Sequence, residues 1–242
     1  MMKIRKAEDR GVSRHDGLIS WHTFSFGEYV DAHNSGYSDL LVINDDRVAA
    51  GHGFGAHPHR DMEIMTYVLD GTLEHRDGMG SHSLLYPGEV QLISAGTGVT
   101  HSEMNASHDD DVHFLQAWIV PRQHDLAPRY QQRVIAPSEK NGRLALILSA
   151  DGRDDSLMIA QDVSIYIGMF GPGQKCHWSL PDGRCAWLHV ATGHITLNGQ
   201  QLHAGDGVEI EHEPELLLQD GQDAKVILFD LRRFDTASLA HH

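Results

Sequence analysis

Between residues 40 and 120 the apolar positions come in short runs rich in Val, Ile, Leu, Thr and Tyr. Turn residues interrupt them at close intervals: "NDD" at 44–46, "DG" at 70 and 77, "PGE" at 87 and "SAGTG" at 94. Runs of this length and spacing predict an all-β sandwich or barrel. Sustained 3.6-residue periodicity is missing. The one stretch that could pass for a helix, "SLMIAQDVSIYIGMF", carries the Val, Ile and Tyr content of a strand. Helix content should therefore be low.

The pattern also repeats. "VLDGTLEHRDGMGSHSLLYPGEVQLI", from 68, and "VATGHITLNGQQLHAGDGVEI", from 190, each read as strand, Gly turn, strand, polar turn and a strand entering a Gly-acid corner. Gly71 aligns with Gly193 and Gly88 with Gly205, the second copy having the shorter central hairpin. Two copies of one β-unit are implied. The joint is expected near "PRQHDLAPRYQQRV", 121–134, where Pro, Arg and Gln replace the strand pattern. This divides the chain into 1–130 and 131–242.

Composition narrows the partners. Of 242 residues 34 are Asp or Glu and 19 Lys or Arg, a formal net charge of -15, with the basic residues scattered. Direct nucleic-acid binding is disfavoured. Cys176 and Cys185 form neither a C-x-x-C pair nor a disulfide framework, and the start "MMKIRKAEDRG" lacks an apolar signal core. No stretch approaches the roughly 18 uninterrupted apolar residues of a membrane span. The expectation is a cytoplasmic protein, monomeric and without a membrane partner.

Chemistry concentrates at "GAHPHRDMEIMTYVLDG", 55–71. In an extended segment residues i and i+2 share a face, so His57 and His59 present both rings to one side while Pro58 faces away. Pro58 also holds His57 extended and offers no N–H, which suits a strand start or an edge. With 19 His in the chain such a pair can arise by chance, so further ligands are required. "EVQLISAGTGVTHSEMN" supplies them: His101 and Glu103 again stand at i and i+2. If this segment faces 57–64 across a barrel, three imidazoles and one carboxylate converge. Such a set suits a divalent first-row metal and leaves positions open for water, substrate or dioxygen. Glu63 shares the parity of His57 and His59 in an unbroken strand, and parity does not choose between Glu63 and Glu103. His75, His82, His108 and His113 lie in or beside polar turns or strands without a partner at i+2, and read as surface or hydrogen-bonded residues. His22 reads as packing beside Trp21 and Phe24. At the equivalent positions of the second copy stand Ser179, Pro181, Leu218 and Asp220, which offer no comparable pair.

These residues resemble the cupin superfamily. Gly51, His57, His59, Glu63 and Gly71 follow the first cupin motif with one extra residue before Gly71. Gly88, Gly96, His101 and Asn105 follow the second, with Ser94 in place of its proline and two extra residues before His101. More closely, "SWHTFSF", "HPHRDMEIMTYVLDG" and "SAGTGVTHSEMN" resemble the pirin family of two-domain cupins, in particular its bacterial quercetin 2,3-dioxygenase-like branch. The resemblance implies two jelly-roll-like β-barrels in tandem, the second a degenerate cupin without ligands. It implies one metal ion held by His57, His59, His101 and Glu103, with Glu63 structural. It further implies a dioxygenase that opens a flavonol ring with O2 and releases CO, Glu103 taking the 3-hydroxyl proton as the catalytic base. The ion is expected to be iron first, although Mn, Co, Ni, Cu and Zn accept the same ligands. Family members described as regulators imply a second reading, a metal-binding protein acting through a protein partner, which the acidic surface would suit. Sugar isomerisation, a third cupin chemistry, lacks a basic phosphate-binding cluster near the motifs.

Overall fold

The computed structural model describes residues 1–234. Its first half contains β1 (Met2–Arg5), β2 (Gly11–His15), β3 (Leu18–His22), β4 (Leu40–Val48), β5 (Gly53–His59), β6 (Glu63–Asp70), β7 (Leu73–Asp77), β8 (His82–Leu85), β9 (Glu89–Ser94), β10 (Val99–Asn105), β11 (Val112–Ile119) and β12 (Arg129–Val134). The second contains β13 (Leu144–Ser149), β14 (Leu157–Met158), β15 (Ser164–Phe170), β16 (Lys175–Ser179), β17 (Arg184–Leu197), β18 (Gln200–His203), β19 (Gly207–Glu211) and β20 (Glu215–Arg232). Among the described residues the only α-helix is the four-residue α1 (Pro137–Lys140). The all-β expectation holds, and "SLMIAQDVSIYIGMF" supplies β14 and β15.

The first half is a sandwich of a four-stranded sheet, β5-β10-β7-β8, and a seven-stranded sheet, β12-β9-β6-β11-β4-β3-β2. No ladder among the described residues joins the two, so the expected closed barrel is an open cupin-like sandwich. In the second half one nine-stranded sheet wraps over its own core. Register shifts in β17 after Val190, Thr192 and His194 bend the long strands that make this wrapping.

β6 is buried from Glu63 through Leu69 because both its faces are covered. Ile64 and Val68 face the inside of the first sandwich. Met65, Tyr67 and Leu69 pack into the core shared with Ile147, Ile165, Trp187 and Phe229 of the second half. Trp187 is fully buried there against Phe24, ring centroids 4.8 Å apart. Replacing it by alanine would cost about 3–5 kcal/mol.

The glycine corners agree with the repeat. Gly71 and Gly193 have φ of 75° and 67°, and Gly88 and Gly205 of 89° and 87°. A Cβ at Gly71 would meet the Asp111 carbonyl oxygen at 2.5 Å, and at Gly193 that of Gln222 at 2.1 Å. "NDD" is not a turn: Asn44, Asp45 and Asp46 lie buried in the middle of β4. The first half lends one arm to the second and keeps the strand at the expected joint. β1 pairs with β19 of the second sheet, and β12, which contains position 130, pairs with β9 of the first.

Candidate metal centre

β5 and β10 are not opposed across a barrel but are antiparallel neighbours in one sheet, with His101 opposite His57 and Val99 opposite His59. Alternation along each strand then directs the three rings to one face. Ring centroids lie 4.8 Å apart for His57 and His59, 4.5 Å for His57 and His101, and 4.9 Å for His59 and His101. One nitrogen from each falls within 4.8 Å of the other two.

The three rings could hold an ion. His57 Nδ1 lies 2.7 Å from the Gly55 carbonyl oxygen, an acceptor that requires the proton on Nδ1 and leaves Nε2 with its lone pair. His59 Nε2 and His101 Nε2 are buried with no hydrogen-bond partner, which is costly unless something else binds them. Burial, reinforced by the neighbouring imidazoles, pushes His59 down to about 4 and His101 down to about 3. Both rings are thus neutral at neutral pH, the form a metal requires. Nitrogen donors without sulfur fit a first-row ion in an open site.

Glu103 is positioned differently. A register shift between His101 and Glu103 puts it opposite Phe54. Its buried carboxylate accepts from Gln116 Nε2 at 2.7 Å, Thr66 Oγ1 at 3.2 Å and Gln91 Nε2 at 3.4 Å. Gln116 Oε1 in turn accepts from Trp118 Nε1 at 2.9 Å, and the Trp118 ring stands edge-on to His59 at 4.9 Å. Glu103 falls not in the three-imidazole cluster but in a second, fully buried one with His75 and His101. The two clusters share His101. Asp46, also buried here, is raised to about 8 by desolvation and by the nearby charges of Asp45 and Glu103, with a hydrogen bond to Ser20 opposing.

His75 is the residue sequence reasoning missed. It is fully buried, its Nε2 3.1 Å from Asp77 Oδ2, its Nδ1 3.5 Å from His101 Nδ1, and its ring stacked on Tyr130 at 4.9 Å. "HRD", 75–77, carries its signal, since Asp77 stands at i+2 on the same strand face. His113 is buried against Asp45 at 2.7 Å. His22 is buried between Ser13 and Asn44 and tilted on Phe26. His82 is exposed on Glu74, and His108 is exposed.

Glu63 shares no strand with His57 and His59. β5 ends at His59, Asp61 takes φ 48°, and β6 begins in the other sheet. Glu63 accepts from Ser94 Oγ at 2.9 Å and from the Ala160 N–H at 3.3 Å. Burial raises its carboxyl above the usual range. It fastens the first half to the second and belongs to neither cluster.

A cavity of about 340 Å³ lined by Pro58, His59, Arg60, Thr97, Val99 and Thr100 opens beside the centre. Arg60 on its rim donates to the Thr97 carbonyl oxygen and to Asp125. Both donor clusters found among the described residues lie in the first half. None of the described helices is long and apolar enough to cross a membrane.

Comparison with known proteins agrees with this architecture. The Pirin family model matches residues 4–119, and the Quercetinase C-terminal cupin domain matches 146–231. The chain is 43% identical over 231 residues to the quercetin 2,3-dioxygenase of Escherichia coli K12, covering 96% of this chain and 99% of that one. It is 34% identical to a pirin-like protein of Caulobacter vibrioides, covering 93% of this chain and 98% of that one. The crystal structure of YhhW from Escherichia coli superposes with TM-score 0.92 at 42% identity, covering the whole of both chains. Bacterial pirin YhhW in complex with nickel(II) does so with TM-score 0.91 at 43% identity, covering 97% of this chain and all of that one. With both halves matched and near-complete relatives on each measure, this chain belongs to the pirin family.

Proposed function

We propose that this protein is a metal-dependent dioxygenase that opens a flavonol ring with O2 and releases carbon monoxide. His57, His59, His101 and Glu103 are the ligands of one divalent first-row ion, with Glu103 also the base. The observation that carries the reading is the convergence of three imidazoles on one face with the Nε2 atoms of His59 and His101 buried and unpartnered. The relatives named quercetin 2,3-dioxygenase supply the substrate class, and the nickel(II) complex of the Escherichia coli pirin supports a divalent ion. Iron remains the first candidate, with Mn, Co, Ni, Cu and Zn to be tested beside it.

Bound here, the ion would supply Lewis-acid stabilisation for a substrate oxyanion. The chain's own residues do the rest. The three imidazoles hold the ion, and the Gly55 carbonyl keeps the His57 lone pair outward. Glu103 takes the proton of the flavonol 3-hydroxyl, its carboxylate oriented by Gln116, Thr66 and Gln91. Trp118 and Phe54 flank His59 and His57 with apolar rings. The cavity beside His59 admits the substrate; its volume lies within the span of small-molecule sites. In this reading residues 1–130 form the metal-binding cupin. Residues 131–242 form the degenerate one, which supports it through contacts such as Ala160 to Glu63.

The test is reconstitution. Metal content is measured on protein purified without added metal or chelator. The depleted protein is then loaded with each of the six metals and assayed for quercetin loss, O2 uptake and CO release. One ion per chain and turnover with at least one metal are expected. No turnover with any metal overturns the dioxygenase reading and leaves a metal-binding regulator acting through a protein partner.

A further inference from the structure

Beyond the ligands, we propose that His75, backed by Asp77, is a positioning residue that sets the tautomer of His101 and thereby aims its Nε2 lone pair at the ion. The inference rests on the reading of His101 as a ligand.

The chain of contacts runs one way. Asp77 Oδ1 accepts the backbone N–H groups of Met79 and Ser81, both at 2.9 Å, which anchors the carboxylate in the turn after β7. Its other oxygen, Oδ2, lies 3.1 Å from His75 Nε2, and as an acceptor it requires the ring proton there. His75 Nδ1 then carries a lone pair. It faces His101 Nδ1 at 3.5 Å, the long end of hydrogen-bonding range, and a bond between the two requires the proton on His101 Nδ1. What is left on His101 is an unprotonated Nε2, the same atom that is buried without a protein partner. The opposite arrangement, with His101 protonated on Nε2, would aim an N–H at two other imidazoles and leave two lone pairs facing each other at Nδ1.

Packing keeps the relay in place. Both His75 and Asp77 have fully buried side chains, and Tyr130 of β12 stacks on the His75 ring at an interplanar angle of 27°. β7 and β10 are paired so that Asp77 lies opposite His101 and His75 opposite Glu103. One strand therefore supplies the ligand pair and its neighbour an equally spaced supporting pair. Imidazole ligands commonly donate the other ring N–H to an outer acceptor, and losing that acceptor typically costs about 10- to 100-fold in metal affinity.

The experiment reads the tautomer directly. Long-range proton–nitrogen NMR correlation on metal-free protein labelled with 15N-histidine should show His101 with protonated Nδ1 and bare Nε2. His75→Leu, which cannot accept, should produce the other tautomer or a mixture. It should also weaken Ni2+ binding by about 10- to 100-fold in titration calorimetry. His75→Gln can accept from His101 through its amide oxygen and donate to Asp77 through its amide nitrogen, so it should restore both readouts to within about threefold of the unmodified protein. The spectrum of the unmodified protein needs no variant to fold, and bare Nδ1 on His101 overturns the proposal. Loss of Ni2+ binding in His75→Gln equal to that in His75→Leu overturns it too, since His75 would then be a ligand itself. If the unmodified protein binds no metal, the ligand reading fails separately, with the tautomer still legible.

Discussion

The rings of His57 and His101 face each other across adjacent antiparallel strands, their centroids 4.5 Å apart at directly paired positions. Each comes from an i, i+2 pair, so the backbone ladder that joins the strands also fixes the spacing of the donors. His101→Ala removes the ring shared by both clusters. It should weaken metal binding by more than the roughly 10- to 100-fold that outer partners contribute, as titration calorimetry with Ni2+ would show. A variant that keeps unmodified affinity would remove His101 from the ligand set.

Glu103 and Glu63 should respond differently to amide substitution. Glu103→Gln sets an amide against the amide donors of Gln116 and Gln91 and removes the proposed base. Flavonol turnover should fall by about 100-fold or more. Glu63→Gln disturbs Ser94 and Ala160 at the junction of the halves, so it should lower stability by about 1–3 kcal/mol. Its turnover should fall by no more than roughly 10- to 100-fold. Full metal and turnover in Glu103→Gln, with metal lost in Glu63→Gln, would exchange the two roles.

Asp46 gives a pH dependence with a defined sign. Its folded value, about 8, lies above that of an unfolded aspartate, 3.8. The native state therefore keeps a proton that the unfolded chain releases, and stability falls as pH rises between those two values. Asp46→Asn cannot titrate. In calorimetry on metal-free protein its Tm, relative to the unmodified protein, should rise by roughly 10 °C from pH 5 to pH 8, on the order of 3–4 kcal/mol. A difference that stays constant with pH would contradict the buried acid.

Trp118 offers an optical reading, since its ring stands 4.9 Å from that of His59. Binding of Ni2+ or Cu2+ at the imidazoles should quench part of the tryptophan emission. Trp118→Phe should lack that part while binding metal, and His101→Ala should not be quenched at stoichiometric metal. Quenching that survives in Trp118→Phe would place the ion elsewhere.

Much of this architecture is legible in the sequence because its determinants are local. The glycine corners are forced by backbone at Gly71 and Gly193, and the common face of His57 and His59 follows from strand alternation, whereas the register shift that sets Glu103 apart from His101 has no local signal. The failures have a common cause. Asn44, Asp45 and Asp46 look like a turn because their partners are distant in sequence: His22 for Asn44, His113 and Arg10 for Asp45, and Ser20 for Asp46. Glu63 reads as sharing a face with His57 because nothing local announces that the chain leaves one sheet at His59 and joins another at Glu63. His75 reads as an ordinary histidine because its i+2 neighbour, Asp77, looks like a turn residue and not a buried acceptor. Burial, which turns that neighbour into a fixed acceptor, is decided by β10 and Tyr130.

The lent arm β1 orders assembly in time. Its partner strand, Gly207–Glu211, is synthesised about 200 residues after Met2–Arg5, which at 5–20 residues per second is a wait of roughly 10–40 s. The strands that carry His57, His59, His101 and Glu103 are complete long before then. The imidazole-bearing sandwich can therefore close while the leading segment is still unpaired, and β1 becomes a late latch that joins a preassembled centre to the sheet that backs it.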